Sequence, residues 1–152
     1  MDPKRIGIAL LIAVVLAAPG CASGRKRAWE REDAKVGGGT AQADPQEMAK
    51  ADAAWKNRGD KAQLQLALDT WKKLADSGAG NYDVYAKLSR GYYLMGDGYV
   101  EDINQKLEYF DQGASWGEKA LYTFPAFKEM VDAGKPQEEA VTKLGKDAID
   151  AI

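Results

Sequence analysis

From Asp44 onward the apolar residues recur at helical spacing, and nowhere do they alternate in the two-residue period of a strand. Asp44-Pro45-Gln46-Glu47 sets an acceptor at an N-cap, proline at the first helical position and glutamate at the third, which predicts a helix start. Met48, Ala51 and Trp55 continue it, and Gly59-Asp60 ends it while offering Asp60 as the next cap. Leu64, Ala67, Leu68, Trp71, Leu74 and Ala75 then form one apolar stripe. A turn is expected at Ser77 to Gly80, with Asn81 capping a third helix that carries Tyr85, Leu88, Tyr92 and Met95 and ends at Gly96-Asp97-Gly98. A fourth helix is expected from about Asp102 to Leu121, and Pro125 and Pro136 each sit near the start of a further short helix. The expected fold class is all-α.

Residue types narrow the chemistry. The 152 residues hold 21 Lys+Arg against 23 Asp+Glu, a net charge of -2, so no electrostatic argument points to nucleic acid. There is no histidine, the commonest metal ligand and general base, and one cysteine, so no intramolecular disulfide or zinc cluster is expected. Glu108, Asp111 and Glu118 are the nearest approach to a carboxylate cluster. Charges at that spacing on a helix usually face solvent, and nothing in the sequence predicts a desolvated cleft around them. No Ser/His pair or phosphate loop is present. The expectation is a non-enzyme without cofactor or metal.

The N-terminus reads as a targeting segment. Lys4 and Arg5 precede an unbroken apolar run from Ile6 to Ala18, too short for the ~20 residues of a membrane-spanning helix and suited to a signal sequence. Ala18-Pro19-Gly20-Cys21 resembles a bacterial lipobox, which implies lipidation of Cys21 and a membrane anchor. Ala18 and Pro19 depart from that motif, where leucine is usual three positions before the cysteine. They leave ordinary signal cleavage after Ala22 as an alternative that would remove Cys21. Ala22 in place of aspartate implies the periplasmic face of the outer membrane rather than inner-membrane retention. The expected organisation is a signal peptide over 1–20, a lipidated flexible tether over 21–43, with Gly37-Gly38-Gly39 in it, and a helical domain over 44–152.

Two segments share a frame. Tyr85-x2-Leu88-Ser89-x2-Tyr92-x3-Gly96 matches the first-helix pattern of a tetratricopeptide repeat, and Met48-x2-Ala51-Asp52-x2-Trp55-x3-Gly59 matches it 37 residues earlier. Ala67, Trp71 and Leu74 fit the second helix of one repeat. Gly113, Gly117 and Ala120 fit that of the other, with an insertion around Gly98 to Glu108. An unrelated array of helical hairpins would use the same small residues for close packing. Leu88-x-Arg90-x-Tyr92-Tyr93-x2-Gly96 and Tyr109-x3-Gly113-x4-Glu118-Lys119-Ala120-Leu121 resemble the T component of TRAP transporters over residues 46–152. That resemblance implies antiparallel helical hairpins in a TPR-like array and a partner, the periplasmic solute-binding protein of a transport system. A generic TPR lipoprotein scaffold for envelope assembly or secretion is the alternative.

Members of that family continue through further helices, whereas this sequence stops in an apolar pattern at Ala151-Ile152, so the domain is expected to be incomplete. Two repeats fall below the three or so of a stable solenoid, which predicts an open apolar face and self-association or docking through it. Asn57, Lys87, Arg90 and Tyr93 are the candidate partner-binding positions, being the helix residues that could face a concave surface. The competing assignment for Lys87 and Arg90 is a solvated helix face. Trp55, Trp71 and Tyr92 are assigned to the core.

Overall fold

A computed structural model describes residues 26–27 and 42–145. The signal peptide, Cys21, most of the tether and residues 146–152 lie outside the described residues. Among those described there are six helices and no strand, so the fold is all-α as expected: α1 (Pro45–Lys56), α2 (Lys61–Leu74), α3 (Tyr82–Tyr99), α4 (Ile103–Tyr122), α5 (Pro125–Asp132) and α6 (Gln137–Leu144).

The first four helices begin where side-chain oxygens replace missing backbone acceptors. Asp44 accepts from Gln46 N at 2.9 Å, and Asp60 accepts from Ala62 N at 2.7 Å. Asn81 accepts from Val84 N at 3.1 Å, and Asp102 accepts from Gln105 N at 2.9 Å. Proline at the first turn starts α5 without a side-chain cap.

Two boundaries differ from expectation. The segment Ala75–Ala79 is a widened π-helical turn continuing α2, and the chain leaves it only at Gly78, whose φ of 82° suits glycine. Gly96 does not stop α3, which runs on to Tyr99. A Cβ at Gly96 would stand 2.9 Å from Tyr109 Cβ, so this glycine marks a close crossing of α3 and α4. The last turn of α3 is then pinned to the α1–α2 connection: Tyr99 Oη donates to Arg58 O at 2.6 Å, and Lys61 Nζ donates to Tyr99 O at 3.2 Å. Most of the expected insertion is therefore helix, with the two elements lengthened to 18 and 20 residues around a short connection.

Helices consecutive in sequence pack on one another. The main core lies among α1 to α4, around the fully buried Leu64, Leu68, Trp71, Tyr85, Leu88 and Met95. Trp55 and Trp71 meet at 5.5 Å between ring centroids, and Tyr85 stacks on Trp116 at 5.7 Å. Trp71 is buried outright, whereas Trp55 and Tyr92 lie half-buried against this core. Phe127 centres a smaller cluster with Leu121, Tyr122 and Ala140, which attaches α5 and α6 to the end of α4.

Burial pushes the hydroxyls of Tyr85 and Tyr92 above the ordinary tyrosine value of 10.0. Tyr122 shifts the same way through burial and its hydrogen bond to Asp132. In each case the unfolded chain gives up the proton at lower pH than the native one. Their stabilisation is thus complete below pH 10.0 and is lost as pH rises through the raised values. Unfolding midpoints in urea, followed by circular dichroism, should hold steady up to pH 9 and fall steeply beyond about pH 10. Tyr85→Phe should flatten that fall, and an unchanged slope would remove Tyr85 from the account.

Candidate functional site

The α3–α4 contact is close because α4 presents glycine to it. A Cβ at Gly113 would meet Ser89 O at 3.1 Å and Tyr93 N at 3.4 Å. One turn on, a Cβ at Gly117 would meet Ser89 Oγ at 3.1 Å. With no side chain in the way the backbones approach, and the larger residues on either side frame a groove. It is lined by Ser89, Arg90, Tyr93, Phe110, Gly113 and Ala114 and encloses about 450 Å³. Tyr93 stacks on Phe110 with centroids 5.3 Å apart, yet stays 60% exposed. Arg90 is exposed at the rim and has no ion-pair partner among the described residues. An apolar floor, one exposed aromatic ring stacked on a half-buried one, and one available guanidinium suit a protein surface bearing an apolar side chain near a carboxylate.

Of the four residues singled out by sequence, the fold brings two together, Arg90 and Tyr93. Lys87, one turn before Arg90, turns toward α1. Its ammonium lies 3.0 Å from Asp52 Oδ1 and 2.9 Å from Asp83 Oδ2, above the Trp71 ring. Burial by itself would lower the Lys87 pKa; the two carboxylates outweigh it and hold it above the usual lysine value. The same ammonium donates to Asp52 Oδ2 at 3.3 Å, while the buried Asp52 Oδ1 is outside hydrogen-bonding geometry and is held by charge. Lys87 thus clamps α3 to α1. Asn57 caps the end of α1, donating from Nδ2 to Ala53 O at 3.1 Å, and lies outside the groove.

Glu108 and Asp111 are exposed and Glu118 is half-buried along α4. Among the described residues no group of carboxylates and cysteine is placed to hold a metal ion. No helix among them is long and apolar enough to cross a membrane.

Sequence reasoning missed Ser89, Phe110 and Ala114 as groove residues. The four-residue spacing of Gly113 and Gly117 was the available signal. It also missed Arg27. Within the expected tether, Arg27 stands half-buried beside Gly117, Leu121 and Val141, where the groove continues toward α6.

The class defined by these residues is an all-α domain with an open groove between two long helices. Compared with family models, curated proteins and solved structures, the chain matches none.

Proposed function

We propose that this chain is a membrane-anchored periplasmic lipoprotein with a TPR-like array, tethered through Cys21, that binds the solute-binding component of a TRAP-type transport system. The observation that carries the binding reading is the groove itself, where Tyr93 remains exposed over the half-buried Phe110 and beside Arg90. Aromatic and arginine side chains at the centre of a contact supply most of the energy of protein interfaces. The lipobox-like Ala18-Pro19-Gly20-Cys21 supports the anchor, and the Leu88 to Gly96 and Tyr109 to Leu121 patterns support the transport assignment.

Two measurements test it. Metabolic labelling with a palmitate analogue should mark the wild type and not Cys21→Ser; equal labelling of both would end the anchoring claim. Affinity capture from detergent-solubilised envelopes should recover a solute-binding protein. The double variant Arg90→Glu, Tyr93→Ala should cut that recovery by about tenfold or more, since loss of a hot-spot pair costs at least ~1.4 kcal/mol. Recovery of envelope-assembly proteins and no solute-binding protein would favour the scaffold alternative and refute the transport one.

A further inference from the structure

We propose that α4 pairs with α4 of a second copy of this chain, the two helices running parallel about a twofold axis. The inference rests on the α3–α4 face being a protein-binding surface, and it assigns the α4 side of that face to self-association.

Ile103, Leu107, Phe110 and Ala114 follow one another at intervals of four, three and four residues, the spacing that holds an apolar seam along one side of a supercoiled helix pair. Among the described residues no helix covers this seam at its start: Ile103 is 61% exposed and Leu107 56%. It ends at Ala114, because the next two positions in the same spacing are engaged within the chain. Gly117 abuts Ser89, and Leu121 is buried in the Phe127 cluster. Gly113, which faces the α3 backbone, lies about 100° around the helix from Ala114; Ile103 and Leu107 therefore point away from α3, while Phe110 and Ala114 stand at the rim of the groove, with Phe110 stacked on Tyr93.

The charges beside the seam select the occupant and its direction. Lys106 flanks it on the α3 side and Asp111 on the far side, five residues apart. In a parallel pair, opposite edges of the two helices meet, and a residue on one edge faces the residue five positions on in the partner. Lys106 then meets Asp111 of the second copy, twice by symmetry. Arg90, on the α3 side, adds positive charge to the same edge. In an antiparallel pair like edges meet, and Asp111 and Glu118 would face their own counterparts. A seam with opposite charges on opposite edges at this spacing is complementary to itself in one direction only. A seam of some three turns is too short to pair free peptides, but here the helices are already ordered by α3, so that entropic cost is met before association.

The test uses the full chain in envelopes with copper-phenanthroline as oxidant. A parallel twofold places position 107 beside its own copy, so Leu107→Cys should give a disulfide-linked dimer, and Lys73→Cys, exposed on α2, should not. The wild type reports any crosslink through Cys21. Lys106→Glu should lower the Leu107→Cys yield severalfold, and adding Asp111→Lys should restore it. A Leu107→Cys yield no higher than that of Lys73→Cys overturns the pairing, and so does failure of the charge swap to restore it. Capture of the solute-binding protein by a Leu107→Glu variant is scored separately. Capture without dimers would sink this inference and spare the functional reading; dimers without capture would do the reverse.

Discussion

Replacing Trp71 by alanine should cost the helical domain about 3–5 kcal/mol, the range for deleting a fully buried aromatic ring. Trp71 has no exposed surface, and its neighbours come from the helices on either side of α2, α1 and α3. Trp55 of α1 lies 5.5 Å away, the Gly91 side of α3 is packed against the ring, and the Lys87 ammonium sits above it at 5.9 Å. With α2 packed against both α1 and α3, the helices relax only partly into the space left behind. Domains of this size are stable by only about 5–15 kcal/mol, so the variant should lose a large part of its stability, read as a lower urea midpoint with unchanged slope. Trp71→Phe supplies the contrast. Trp71 Nε1 is buried without an acceptor among the described residues, and phenylalanine keeps most of the ring while deleting that donor. Its cost should be less than half that of alanine. Equal costs for the two would show that ring packing is not what Trp71 contributes.

Gly113→Leu should be the second most damaging substitution, at about 2–3 kcal/mol, the upper part of the range for overpacking. The first added carbon meets Ser89 O and Tyr93 N, both backbone atoms of α3, which retreat only if the helix does. The groove should widen with them, so capture of the partner should fall along with the melting temperature. Alanine variants separate clash from helix propensity. Glycine to alanine within a helix favours folding by up to about 1 kcal/mol. At Gly117 the obstacle is the Ser89 hydroxyl, which can rotate away, so Gly117→Ala should keep that gain. At Gly113 the backbone contact should cancel it. If Gly113→Ala stabilises as much as Gly117→Ala, the close approach of α3 and α4 is not what holds glycine there.

The helix starts were legible in single residues, because a cap acts on the two or three amides that follow it: Asp44, Asp60, Asn81 and Asp102 cap the helices they were expected to begin. The stops were less legible. Gly96 was assigned as a terminator, but its hydrogen atom is needed where Tyr109 and Phe110 cross it, a requirement set by a helix 13 or more residues away in the chain. Lys87 and Arg90 show the same limit at the site. Both are basic residues of α3 one turn apart, and nothing local distinguishes the clamp from the groove residue.

Sequence by itself therefore determined the all-α class, the helix starts, the buried Trp71 and the absence of histidine chemistry, since each depends on residue type or on spacing within a few turns. Tertiary structure decided that Arg90 and Tyr93 share a groove while Lys87 and Asn57 do not, and that Ile103 and Leu107 are left uncovered. Those outcomes depend on how close α3 and α4 come, and that distance is set by Gly96, Gly113 and Gly117, whose missing side chains matter only once the opposite helix is in place.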